Sequence, residues 1–341
     1  MATAPTRTGD GLAGSDRRDR HRFGSVTPGP VDRAVKGGHD GAVPLTPPSD
    51  AGIEIWYTTD GDPSGEPLQL AMGLGTQHLG WDDELVALFV ARGFFVIRHD
   101  NRDVGLSTKP VQEELPVIER LLAAFGGGRV EAPYLLTDMA ADAVAVLDHL
   151  GISSAHVVGA SMGGMIAQTM AIEHPERVRS LTSIMSTTGA PDVGQPDPSV
   201  LPILLGGAPA TREEAVERSA VISAAIGSPG LVDEALVRDK AGRAWDRSSY
   251  AQGMGHQLPA IVASPPRTEA LARIDVPTLV IHGDADPLVT PSGGRATAEA
   301  IPGAELRIVP GMGHDVPRQH WESIIDDVCA LAARAGSPAR G

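Results

Sequence analysis

Cysteine is nearly absent from this sequence. The 341 residues include one, Cys329, so no disulfide can form within the chain and no site can be built from several thiolates. No apolar run approaches the roughly 18 residues that a membrane-spanning helix needs, and the N-terminus lacks the apolar core of a secretory signal peptide. These absences predict a cytoplasmic protein without a membrane segment, in which Cys329 is a small buried residue of the last helix.

An excess of positive charge is also lacking. The chain has 28 Lys and Arg against 43 Asp and Glu, which gives a formal net charge of −15. Nucleic-acid backbones and anionic membranes both favour Lys and Arg, so the composition argues against either as the main partner. Residues 1–48 are poor in large apolar side chains and rich in Gly, Pro, Asp and Arg. We predict a disordered N-terminal tail there, and the acids among its arginines argue against a nucleic-acid-binding arm.

Patterns of strand and helix alternate along the rest of the chain. Apolar strand-like runs followed by amphipathic helices predict an α/β protein with a mostly parallel, doubly wound sheet, whose core comprises residues 49–189 and 271–336. Residues 190–270 contain helical and turn-forming patterns without a good strand, including the capping-box sequence TREE at 211–214. They predict a helical cap, or lid, inserted after about the sixth strand.

The stretch HVVGASMGGMIAQ, residues 156–168, holds a Gly-x-Ser-x-Gly pattern centred on Ser161. The pattern alone is weak in a chain with 40 glycines, and it also suits a plain glycine-rich turn. Its position between a predicted strand and a predicted helix is where a sharp turn lifts a nucleophilic serine above the sheet edge. Side chains at Gly159 and Gly163 would collide with the neighbouring strand and helix. We therefore predict that Ser161 is a nucleophile.

A serine nucleophile needs a base, and the base needs an acid that orients it. This type of sheet has them in the order serine, acid, histidine. The acid is predicted in LVIHGDADPLV, residues 279–289, where Asp284 and Asp286 compete. Asp286 is favoured because it lies farther into the loop and precedes Pro287, which fixes the turn.

The base is predicted in LRIVPGMGHDVP, residues 306–317. His314 follows a Gly-Met-Gly loop, whose glycines would let it reach across to the serine. His320 is the alternative, but it lies at the start of the terminal helix, where exposure to solvent is expected.

Two backbone amides should stabilise the oxyanion of a tetrahedral intermediate. One is predicted to be the amide of Met162, directly after the serine. The other should come from AMGLGTQ, residues 71–77, where the amide of Leu74 is predicted and that of Gly75 is the alternative.

These segments together resemble a known family. GASMGG, HGDADPLV and PGMGH resemble the nucleophile elbow, acid loop and histidine loop of α/β-hydrolases, over roughly residues 50–335. MGLGTQHLGWDDELV followed by DNRDVGLST is similar to the aclacinomycin methylesterase-like branch of bacterial esterases. The resemblance implies an α/β-hydrolase fold with a helical cap over the pocket. It also implies that Asp100 and Arg102 are structural, in a buried ion pair or hydrogen-bond network near the oxyanion hole. Many relatives have His-Gly where this chain has Met72-Gly73.

The predicted activity is serine hydrolysis of a carboxylic ester of a small molecule, with methyl esters among the candidates, through an acyl-enzyme and without cofactor or metal. A serine at the elbow argues against the haloalkane dehalogenase and epoxide hydrolase chemistry of this fold. Perhydrolase or haloperoxidase-type chemistry and C–C bond hydrolysis on the same triad stay open. So does a receptor-like binding module with little turnover. The sequence does not indicate an oligomeric state.

Overall fold

A computed structural model describes residues 44–110, 130–204, 206–250 and 252–336. The predicted tail therefore lies outside the described residues except for its last five positions. There the Thr46 amide donates a hydrogen bond of 3.0 Å to the Ile55 carbonyl, which ties this end of the segment to the residues that follow.

The described residues form a sheet of seven strands in the order β1-β3-β2-β4-β5-β6-β7. Only β1 runs antiparallel, beside β3. Strands β4 and β6 are buried along their whole length, as expected of parallel strands covered by helices on both faces. The strands are β1 (Tyr57–Asp60), β2 (Glu66–Ala71), β3 (Phe94–His99), β4 (Ala155–Ala160), β5 (Val178–Ile184), β6 (Thr278–Gly283) and β7 (Glu305–Val309).

Helices follow most strands, and short 3₁₀ turns lie at His78–Gly80, Pro175–Arg177 and Arg318–His320. No helix within the described ranges is both long enough and apolar enough to span a bilayer. The helices are α1 (Asp83–Ala91), α2 (Leu136–His149), α3 (Met162–Glu173), α4 (Leu201–Leu204), α5 (Arg212–Ile226), α6 (Glu234–Arg247), α7 (Gly253–Ala263), α8 (Thr268–Leu271), α9 (Pro291–Ala300) and α10 (Trp321–Arg334).

Two hydrophobic clusters hold the helices to the sheet. One cluster contains side chains of α2 and α3, such as Met139 and Ile166, and the other contains side chains of α1 and α10, such as Phe89 and Ile325. The sheet therefore lies between two helical layers, as the alternating pattern predicted.

Cys329 is only half-buried on α10, so the prediction of a buried cysteine is wrong. The buried residues of this helix are Trp321, Ile324, Ile325, Val328 and Leu331.

Helices α4 to α8 form the helical insertion, between β5 and β6. It follows β5, the fifth strand of the sheet within the described residues, where the sequence predicted about the sixth. Helix α5 begins after Thr211, whose hydroxyl accepts the Glu214 amide as the capping box predicted. The Glu214 carboxylate reaches back to the amide of Ala210 instead of Thr211.

Candidate active site

Three loops meet at the carboxyl edge of the sheet, where open α/β sheets bind their ligands. They follow β4, β6 and β7, which lie within four adjacent positions of the sheet. Each loop contains one predicted side chain, namely Ser161, Asp286 and His314. The sheet order thus brings to one rim residues that lie far apart in sequence.

Ser161 occupies a strained turn between β4 and α3. Its backbone angles are φ 56° and ψ −121°, a region that costs a non-glycine residue of order 1–3 kcal/mol. Two hydrogen bonds of 2.9 Å hold it there: the Ser161 amide donates to the Ile184 carbonyl, and the Ser186 hydroxyl donates to the Ser161 carbonyl. The turn presents the serine side chain at the rim of the sheet.

Gly159 and Gly163 make this turn possible by the absence of side chains. A Cβ at Gly159 would lie 2.1 Å from the carbonyl oxygen of Gly163, and one at Gly163 would lie 2.1 Å from that of Ala71. Real Cβ atoms do not approach backbone so closely, so the strand and helix could not pack at this distance with larger residues. This is the collision that the sequence predicted.

The serine, histidine and aspartate form a continuous hydrogen-bonded chain. His314 Nε2 lies 2.9 Å from Ser161 Oγ, and His314 Nδ1 lies 2.8 Å from Asp286 Oδ2. The Asp286 side chain is fully buried and that of His314 is 8% exposed. In this arrangement the imidazole can take the hydroxyl proton at Nε2 while the carboxylate holds the proton at Nδ1.

Asp286 is held as a carboxylate by the groups around it. Burial acts to raise its pKa, but the charge of His314 and hydrogen bonds from His282, His314 and the Val289 amide outweigh burial and lower the pKa to about 2. The amides of Leu288 and Val289 both donate to Oδ1, at 2.9 and 3.0 Å. The group is therefore ionised at neutral pH and fixed in position.

Asp284 and His320, the alternatives to Asp286 and His314, lie outside this hydrogen-bonded chain. Asp284 is exposed, and its carboxylate accepts the Gly311 amide at 2.6 Å. His320 lies directly before α10, and within the part of the chain that is described its buried Nε2 has no hydrogen-bond partner. Neither side chain belongs to the hydrogen-bonded chain at Ser161.

Residues of the helical insertion hold the histidine loop. The His314 amide donates to the Ile226 carbonyl at 2.7 Å, and the Gly313 amide donates to Ser228 Oγ at 2.9 Å. On the other side, the Ser228 amide donates to the Asp315 carboxylate at 2.8 Å. The backbone on both sides of His314 is thus fixed by the end of α5 and the residues after it. Sequence reasoning missed these contacts, since no motif surrounds Ser228.

The first predicted oxyanion donor is the amide of Met162. Met162 is the first residue of α3, so its amide has no acceptor within the helix. The positive end of the helix dipole also lies at this point and favours negative charge. The Met162 side chain itself is fully buried.

The second predicted donor lies in a turn beside the serine. A Cβ at Gly73 would be 3.2 Å from Ser161 Cβ, so this loop directly adjoins the serine. Across the described ranges, no hydrogen bond occupies the amide of Leu74. The alternative donor, the amide of Gly75, donates to Gln257 Oε1 at 2.8 Å. Among the described residues, the Gly75 amide is therefore bound to Gln257, whereas the Leu74 amide is available to a ligand.

Asp100 and Arg102 belong to separate buried pairs. Asp100 accepts the Arg247 guanidinium at 2.6 Å and lies 3.1 Å from His78 Nδ1. Burial acts to raise the Asp100 pKa, but the hydrogen bond from His78 and the charge of Arg247 outweigh it and lower the pKa to about 2. Arg102 binds Asp142 at 2.6 Å. The two residues do not pair with each other, and because Arg247 belongs to α6, the Asp100 pair ties the insertion to the core.

Known proteins share both the sequence pattern and the fold. Residues 67–319 match the sequence model of a family described by its alpha/beta hydrolase fold. The chain is 32% identical over 306 residues to the rhodomycin D methylesterases DauP of Streptomyces sp. (strain C5) and DnrP of Streptomyces peucetius, covering 82% of this chain and 94% of each relative. The enol-lactonase from Burkholderia xenovorans LB400 superposes with a TM-score of 0.64 at 24% identity, over 82% of this chain and 97% of that chain.

Proposed function

The chain belongs to the α/β-hydrolase family, and on this basis we propose that it is a serine hydrolase that cleaves a carboxylic ester of a small molecule. The observation that carries the proposal is the hydrogen-bonded chain from Ser161 through His314 to Asp286, with the serine in a strained elbow. A buried carboxylate, an imidazole and a hydroxyl in this order are the parts that acyl transfer needs.

In the first half of the reaction, His314 Nε2 takes the proton of Ser161 as the serine oxygen attacks the ester carbonyl. The charge that develops on the carbonyl oxygen is stabilised by the amides of Met162 and Leu74. Asp286 stabilises the imidazolium without taking its proton. His314 then protonates the leaving alcohol, and an acyl-enzyme remains on Ser161.

In the second half, water takes the place of the alcohol. His314 accepts a proton from the water, which attacks the acyl carbonyl, and the same two amides stabilise the second oxyanion. The proton then returns from His314 to Ser161 as the carboxylic acid leaves. No step needs an oxidant, a metal or a cofactor.

We propose a methyl ester as the substrate class. Support comes from the two relatives that are named methylesterases, which align over most of both chains.

A substrate panel tests the proposal. We expect the purified protein to release methanol from rhodomycin D or simple methyl esters, and to hydrolyse p-nitrophenyl esters, with no addition beyond water. The same protein should be assayed with an enol-lactone, and with peroxide and halide. Opening of the lactone without methanol release, or turnover only in the presence of peroxide, would assign the site to different chemistry.

Asp286→Asn is expected to lower kcat by about 10⁴-fold, because the amide cannot hold the proton at His314 Nδ1 and stabilise the imidazolium. The measurement is steady-state hydrolysis of a p-nitrophenyl ester. Asp284→Asn is the matched control, since it removes the neighbouring carboxylate that binds only the Gly311 amide among its described contacts. Equal losses in the two variants would argue against the role of Asp286.

A further inference from the structure

Gln257 links the helical insertion to the loop beside Ser161. Its side chain is fully buried on α7. Oε1 accepts the Gly75 amide at 2.8 Å, and Nε2 donates to the Arg102 carbonyl at 2.8 Å. Both ends of the amide are thus used, and they join two loops of the core that are 182 and 155 residues away in sequence.

Close packing of α7 brings Gln257 to this position. Gly253 lies one helical turn before Gln257, on the same face. A Cβ at Gly253 would lie 1.9 Å from the Asp103 carbonyl oxygen. The helix can therefore approach the core loop only because residue 253 has no side chain, and the approach brings the Gln257 amide within hydrogen-bond distance of both loops.

The loop formed by residues 72–76 is held on both sides of the Leu74 amide. On one side, the Met72 carbonyl accepts Asn101 Nδ2 at 2.9 Å. On the other side, the Gly75 amide is bound by Gln257, and Gly75 itself has a φ of 66° that favours glycine. Leu74 lies between these two anchors. The peptide that carries the Leu74 amide lies between these two held peptides, and its own carbonyl, that of Gly73, accepts the Thr76 amide at 3.3 Å.

We propose that Gln257 is a positioning residue for the oxyanion hole. Its Oε1 accepts the Gly75 amide, so this amide cannot bind the substrate oxygen. The same contact orients the neighbouring Leu74 amide toward that oxygen. The inference rests on the proposed function and extends it, since it gives a residue of the helical insertion a part in the catalytic geometry. Removing one oxyanion donor typically costs about 10²–10³ in kcat, so a misdirected donor should cost about 10–100-fold.

Gln257→Leu tests this in the full-length enzyme. We expect kcat on a p-nitrophenyl ester to fall about 10–100-fold while KM changes by less than about threefold, because the oxyanion forms only after substrate has bound. The affinity for a trifluoromethyl ketone, which forms a tetrahedral adduct with an oxyanion, should fall by the same factor. The affinity for the matching methyl ketone, which reports ground-state binding, should stay unchanged.

Two further variants separate positioning from packing. Gln69→Leu places leucine at another buried glutamine, whose Nε2 donates to the Ala143 carbonyl, and should keep kcat within about threefold. Gln257→Glu keeps both contacts only while its carboxyl group is protonated. Its kcat, divided by that of the wild type at the same pH, should therefore rise as pH falls from about 8 to about 5, because burial raises the pKa of a carboxyl group.

Other charged or titratable groups surround this position. Asp103 lies in the core loop against α7 and accepts the Tyr134 hydroxyl at 2.7 Å, and His256 lies on α7 itself, with Nδ1 3.3 Å from the Asp103 carboxylate. They are the same in the wild type and the variant, so division by the wild-type rate reduces their direct contribution. A ratio that falls as pH falls would contradict the inference.

The outcomes are distinguishable. Unchanged kcat and ketone affinities in Gln257→Leu, or equal losses for both ketones, would overturn the inference while leaving the proposed function intact. Wild-type protein that hydrolyses no ester would overturn the proposed function and this inference together.

Discussion

Ser161→Ala is expected to lower kcat for ester hydrolysis by about 10⁶-fold, to a residual rate supplied by binding and the oxyanion donors. The loss is large because alanine has no oxygen with which to form the acyl-enzyme. Hydrolysis of a p-nitrophenyl ester measures the rate. A fluorophosphonate probe measures the nucleophile directly, and the variant should take up no label.

Ser180→Ala is the matched control for this variant. Ser180 is a buried serine on β5 whose hydroxyl lies 2.8 Å from His156 Nδ1, so its removal tests the loss of a buried hydroxyl away from the site. We expect its kcat to remain within about threefold of the wild type, with full labelling. Label that persists in Ser161→Ala would remove Ser161 as the nucleophile.

His314→Gln is expected to have an effect of similar size, about 10⁶-fold in kcat, since an amide cannot accept the serine proton. Steady-state hydrolysis of a p-nitrophenyl ester measures the loss.

His320→Gln provides the comparison, because it changes the histidine that competes with His314 in the sequence. It should keep the wild-type rate. The double variant of Ser161→Ala and His314→Gln should be about as slow as either single variant, because the two groups act in one proton transfer. Multiplicative losses in the double variant, or a rate in His314→Gln close to that of the wild type, would contradict the assignment.

The fold class could be predicted from sequence because the signals for it are local. A buried parallel strand is a short apolar run, and an amphipathic helix shows a period of 3.6 residues. Both patterns are independent of the rest of the chain. The elbow is local in the same way, since strand, Gly-x-Ser-x-Gly and helix follow one another within residues 155–173.

Tertiary structure was needed wherever two residues close in sequence are candidates for the same role. Asp284 and Asp286 are two residues apart on one loop, and their difference is that only Asp286 lies beside His314, whose own position depends on the loop after β7. Leu74 and Gly75 differ in a similar way. Only the contact between Gly75 and Gln257 distinguishes the two amides.

By itself, then, the sequence determined which loops follow which strands and which kinds of side chain they contain, because short-range periodicity and turn chemistry encode both. It could not determine that Ser228 and Gln257 hold the loops beside His314 and Ser161. These are ordinary polar residues outside any motif, and their contacts span 85 and 182 residues. Such contacts depend on how closely the inserted helices pack on the core, and no local pattern specifies a distance between segments so far apart in the chain.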